Sequence, residues 1–168
     1  ELEEIIAELK ASGEFDYVEP DWHVQALQTP SDSAFVDGTL WGLRNTGQSG
    51  GQAGIDINVV PAWGSTTGSA SVVVGVVDTG VRYTHQDLAS NMWTNPNGIP
   101  GNGIDDDNNG YIDDVYGINA INNSGDPNDD NDHGTHVAGT IAASGNDAGE
   151  LVGVAFTSKI MALKFLGS

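Results

Sequence analysis

Leu2, Ile5, Ile6 and Leu9 recur at helical spacing, with glutamates ahead of them, Lys10 near the end and Gly13 beyond. This pattern predicts an amphipathic helix over residues 1–12. Phe15 to Glu19 predicts a strand, stopped by Pro20. From Gln25 to Gly54 periodicity fades into Ser, Thr, Gly, Gln and Asp, and only Leu40, Trp41 and Leu43 gather as an apolar cluster. That stretch reads as a linker running into an arm packed on the next domain. Ile55 to Trp63 predicts a short helical or turn segment with an ordinary packing role.

Val72 to Val77 is a β-branched run closed by Asp78-Thr79-Gly80, which predicts a fully buried parallel strand carrying Asp78 at its C-terminal end. Open α/β sheets gather ligands and catalytic groups at such ends. Asn91 to Asp132 is irregular and rich in Asn, Asp and Gly. Thr135 to Ala143 predicts a helix with Gly145 just past its end, and Ala138, Gly139, Ala142 and Ala143 allow it to lie close to its neighbours. Leu151 to Phe156 and Lys159 to Leu166 are further apolar segments, the second a strand. Strand alternating with helix argues for α/β architecture.

The chain has 168 residues and 17.5 kDa, enough for one domain with a short appendage. Five basic against 24 acidic side chains leave a net charge of −19, which repels nucleic acid and anionic membrane surfaces. There is no Cys, so disulfides, thiolate metal sites and a Cys nucleophile are excluded. The longest apolar runs are far shorter than the roughly 18 residues of a membrane span. No basic-then-apolar leader follows Glu1, so any export signal would lie upstream of it. Nine Asp and no Lys or Arg lie between Gly101 and Asp132, a density that calls for water or cations to neutralise it.

A carboxylate at a strand end (Asp78) and an imidazole at a helix start (His133) are two parts of an acid/base pair. Each alone has plainer readings: a turn-forming Asp, a helix-capping or hydrogen-bonded core His. His133 with His136 at i, i+3 could also be a metal pair. A zinc site lacks its third ligand, because His23 and His85 are distant in sequence and no His-Glu-x-x-His occurs.

Val76-Val77-Asp78-Thr79-Gly80-Val81, then His85-Gln86-Asp87-Leu88, then Asp132-His133-Gly134-Thr135-His136-Val137-Ala138-Gly139-Thr140 resemble, in that order, the Asp and His blocks of the subtilisin-like serine endopeptidases. Val152-Gly153-Val154-Ala155 and Lys164-Phe165-Leu166-Gly167 extend the likeness, which runs from about Leu40 onward. It implies a partial doubly wound, mostly parallel sheet. Asp78 would be the triad carboxylate, His133 the general base and His136 structural. The family's serine, in a Gly-Thr-Ser block, and its oxyanion Asn have no counterpart here, so this chain alone should not hydrolyse peptides. Gly47-Gln48-Ser49-Gly50-Gly51 fits Gly-x-Ser-x-Gly by coincidence, lacking a strand before and a helix after. Ser168 lacks a preceding Gly-Thr. Residues 1–30, with Tyr17-Val18-Glu19-Pro20, resemble the last helix and strand of an α+β inhibitory propeptide, leaving 31–168 as the N-terminal part of the catalytic domain. Cleavage would fall between Val24 and Asp37. The other reading of this front segment is a helical hairpin native to one domain.

Asp105, Asp107, Asn109 and Asp113 occupy positions 1, 3, 5 and 9 of an EF-hand-like loop, with Gly110 at the turn. Tyr116 stands where bidentate Glu is usual, so a further ligand is needed from Asp114 or a neighbouring loop; the alternative is a solvated Asx-turn loop, placed behind calcium because nine carboxylates without a basic residue need neutralising. The family resemblance implies a second structural Ca2+ site using Asp87 and Asn146. It also implies a secreted, extracellular enzyme with polypeptide substrates, its own propeptide as inhibitor, and a monomer when complete. The rival reading is a non-catalytic calcium-binding module or a degenerate protease used for binding.

Overall fold

The computed structural model describes residues 2–15, 17–18, 29–147 and 149–167. β-branched residues suit a pleated ladder, and the run at Val73–Asp78 (β1) pairs in parallel with Lys159–Lys164 (β3), Val73 opposite Lys159 and Asp78 opposite Lys164. The other edge of β3 holds Gly117–Asn119 (β2), so the order is β1-β3-β2, all parallel. Helices run over Leu2–Ser12 (α1), Ser33–Val36 (α2), Val59–Trp63 (α3) and His133–Ala142 (α4).

Alternation along the strands sends Val76, Ile160 and Ala162 to one face, where they are buried with Ala138 and Ala142 of α4 and with Val81, Leu88 and Met92. The small residues of α4 let it lie on the sheet, as the sequence predicts. A second core joins Phe35, Leu43, Val59, Trp63, Val152 and Phe156. The Trp63 ring meets Phe35 at 5.6 Å and Phe156 at 5.5 Å, and its Nε1–H donates to the Val154 carbonyl at 2.8 Å. Phe35 and Leu43 belong to the expected arm, which is therefore an integral part of the core. Leu151 to Phe156 forms turns, yet its Val152 and Phe156 are buried.

Several expectations need correction. α4 starts at His133, two residues before its apolar pattern begins. β2 falls inside the stretch read as irregular, because three residues are too few to show alternation. β1 is buried on one face only. Val73 and Val77 are 41% and 63% exposed, since α4 packs on the side of Val74 and Val76. Phe15, Tyr17 and Val18 lie in no strand, and among the described residues nothing pairs with them; Asp16 and Glu19 are outside those residues.

Candidate active site

β1 ends on Asp78 and α4 begins on His133, 55 residues later, and the two side chains meet with His133 Nδ1 2.7 Å from Asp78 Oδ1. The same oxygen accepts the Thr79 N–H at 2.7 Å. These contacts, the His133 ring first and the Thr79 N–H second, hold the Asp78 carboxyl below its ordinary range, so it is an anion at neutral pH. An anionic partner at Nδ1 selects the tautomer with its proton there and leaves Nε2 as the basic nitrogen. The Asp78 side chain is 13% exposed and that of His133 is 65% exposed, so the base is held from behind and open in front.

Gly134 permits this approach. A Cβ there would collide with the Gly80 carbonyl oxygen, and the Gly134 N–H instead donates to Thr79 Oγ1 at 2.9 Å. Thr79 Oγ1 donates in turn to Asp129 Oδ1 at 2.8 Å. The other oxygen of Asp129 accepts the Thr135 N–H at 2.9 Å and the Thr135 Oγ1 hydroxyl at 2.5 Å, so Asp129 caps the start of α4 from four residues before its first residue. Burial alone would raise the Asp129 pKa, but hydrogen bonds from Thr135, Asn131 and Thr79 outweigh it and bring the group to about 2. Thr79 and Asp129 escaped the sequence reading. Thr79 could have been found as the residue after the strand-end Asp, whereas Asp129 was lost among nine similar carboxylates.

His136 is exposed on α4 and lines a cavity of about 360 Å³ with Leu40, Arg82, His85 and Leu151, whose walls do not include Asp78 or His133. Ser49 sits on an exposed turn with no strand before it. His23 and Ser168 lie outside the described residues. Among those residues, no cluster of three or more His, Cys, Asp or Glu side chains is assembled for a metal.

The acidic loop is held by its own amides. Asp105 accepts the N–H groups of Asn109 and Gly110 at 3.0 and 2.9 Å, and Asp107 accepts the Asn95 and Asn109 side-chain amides at 3.0 and 3.2 Å. Asp114, buried, joins them by accepting the same two amides at 2.9 and 2.8 Å. Asp113 is engaged elsewhere, with the N–H groups of Asn102 and Gly103 at 3.0 and 3.1 Å.

Asp87 differs. It is fully buried, and among the described residues neither carboxylate oxygen has a hydrogen-bond partner. Asp32, equally buried and missed by the sequence reading, has an Oδ1 with no partner among the described residues, while its Oδ2 accepts the Asn146 N–H at 2.9 Å. Asn146 Oδ1 accepts the Ser31 N–H at 3.0 Å. A Cβ at Gly149 would fall on Asp87 Oδ1, so glycine leaves the backbone loop close against that carboxylate. Asp32 thus links the arm to the loop carrying Asn146.

The Subtilase family model matches residues 69–168. "Subtilisin-like protease 1" of Plasmodium berghei is 50% identical over 103 residues, 60% of this chain and 17% of that protein. The "Thermophilic serine proteinase" of a Bacillus strain is 30% identical over 165 residues, 98% of this chain and 33% of that protein. Among solved structures, the Aeromonas sobria serine protease, in complex with a chaperone, superposes with TM-score 0.57 at 29% identity over 76% of this chain and 19% of its own. A Pseudoalteromonas arctica protease gives 0.54 at 29% identity over 83% of this chain and 40% of its own. The chain therefore spans about a sixth of the Plasmodium relative and a third of the Bacillus one. The strand-end Asp and helix-start His both fall within the matched residues, and by that match, over more than half its length, the chain belongs to the subtilase family.

Proposed function

We propose that Asp78 and His133 are the carboxylate and general base of a serine endopeptidase whose serine lies outside these 168 residues. The carrying observation is the 2.7 Å contact between His133 Nδ1 and Asp78 Oδ1 at the C-terminal end of a parallel strand. In this reading Nε2 takes the serine hydroxyl proton as the oxygen attacks the peptide carbonyl. Nε2 then returns the proton to the departing amine, and water repeats the cycle on the acyl-enzyme. His133→Ala in the complete protein is expected to abolish peptide hydrolysis; hydrolysis at the wild-type rate would refute the role.

Residues 1–30 are read as the end of an inhibitory propeptide and 31–168 as the first part of the catalytic domain. The Bacillus match running through almost the whole chain supports including the front helix in the family's layout. Polypeptides are the substrates, the propeptide is the intramolecular partner, and export is the destination.

Structural calcium is part of the same reading. The buried, unpartnered oxygens of Asp87 and Asp32 fit a cation, because carboxylates without donors are costly in the interior. Asp32, Asp87 and Asn146 would hold it, and it would neutralise the charge that the fold concentrates there. Asp105, Asp107, Asn109 and Asp113 remain the second candidate set, with Asp114 beside the first three. These same acidic groups favour the rival reading of a calcium-binding module, which the His133→Ala experiment separates from the enzyme.

A further inference from the structure

Lys164 closes β3 in register with Asp78, on the face that buries Ile160 and Ala162. Its side chain is 5% exposed, and its ammonium donates at 2.6 Å to the Thr79 carbonyl and at 2.6 Å to Asp130 Oδ1. Such a pair is weak ground for stability, since the Lys164 charge is desolvated while solvent screens its attraction to the half-exposed Asp130 carboxylate. An apolar side chain would fill the space with less cost. The position of the partners suggests another role.

Thr79 is tied by its other polar groups to both halves of the site. Its N–H reaches Asp78, and its hydroxyl bridges the Gly134 N–H and Asp129. Its carbonyl is the remaining group, and Lys164 takes it. Asp130 follows Asp129 in the segment that leads into His133. A single ammonium therefore binds the strand end bearing the carboxylate to the loop that delivers the imidazole.

We propose that Lys164 is a positioning residue for the Asp78–His133 pair, bridging the Thr79 carbonyl and the Asp130 carboxylate so that the end of β1 and the start of α4 keep their spacing. Lys164 touches neither the imidazole nor any reacting atom. The kinetic consequence rests on the peptidase reading; the structural one does not.

The test uses the complete protein with Lys164→Met, which keeps length and removes the donors, Lys164→Arg, which keeps charge and donors, and Asp130→Asn. The Asp130 side chain is 55% exposed, so Asp130→Asn leaves the fold intact and decides the matter should Lys164→Met not fold. Two readouts are taken: the proton NMR signal of the His133 Nδ1–H, which needs no substrate, and kcat and KM on a peptide. Lys164→Met is expected to lose or broaden that signal and to lower kcat about ten-fold or more, with KM within about three-fold. Lys164→Arg should restore most of both, and Asp130→Asn should fall between. An unchanged Nδ1–H signal in Lys164→Met, or in Asp130→Asn where the former is unfolded, overturns the proposal. Wild-type protein with the signal intact but no hydrolysis that depends on His133 overturns the peptidase reading instead, and the NMR comparison still decides on Lys164.

Discussion

Asp78 and His133 owe their meeting to residues that carry no chemistry themselves. Asp78→Asn would keep the size of the side chain but offer an amide donor to Nδ1, favouring the wrong tautomer. Activity of the complete protein is expected to fall about 10⁴-fold, read as kcat. Asp129 acts on stability. Its carboxyl is held at about 2 against an ordinary 3.8, so its contribution is complete above about pH 4 and is lost as pH falls from there toward 2. Asp129→Asn should therefore lower the melting temperature at neutral pH, by the equivalent of about 2 kcal/mol, and the gap to wild type should close in acid. An equal gap at pH 7 and pH 2 would contradict this. The two catalytic candidates were legible in the sequence because each sits in a long, ordered block. Asp32 and the links of Thr79 to Asp129 and Gly134 were not, because they join partners 50 or more residues apart, and Asp129, which caps α4 through Thr135 only six residues on, was hidden among neighbouring carboxylates.

At the scale of elements, long periodic or β-branched runs were readable. β1, β3 and α4 stand within two residues of their expected bounds. β2 was not readable, because the ladder of β3 and not its own three residues makes it a strand. The burial of β1 on a single face was equally hidden, since a β-branched run looks the same whether one face is covered or both. α4 depends on close approach at Gly134. Gly134→Ala is expected to cost about 3 kcal/mol through the collision with the Gly80 carbonyl, seen as a lower denaturation midpoint. Trp63→Ala removes the ring that joins Phe35 to Phe156 and should cost about 4 kcal/mol by the same measurement.

At the scale of the whole molecule, charge decides. A net of −19 on 168 residues has to be offset, and Asp87 with Asp32 concentrates part of it in the interior, where both Asp87 oxygens and Asp32 Oδ1 lack a hydrogen-bond donor among the described residues. Calcium is expected to raise the melting temperature and a chelator to lower it. Asp87→Asn, which removes one buried charge, should shrink that calcium response. A melting temperature indifferent to calcium would sink the structural-ion reading while leaving the acid/base pair untouched.

That pair is tested most directly by peptide hydrolysis with the complete protein, wild type and His133→Ala measured side by side. The expected outcome is hydrolysis by the wild type and a loss in kcat of about 10⁶-fold in the variant, the scale on which removing a triad base acts. Equal rates in the two proteins, or no hydrolysis by a folded wild type, would contradict the assignment of Asp78 and His133 to catalysis.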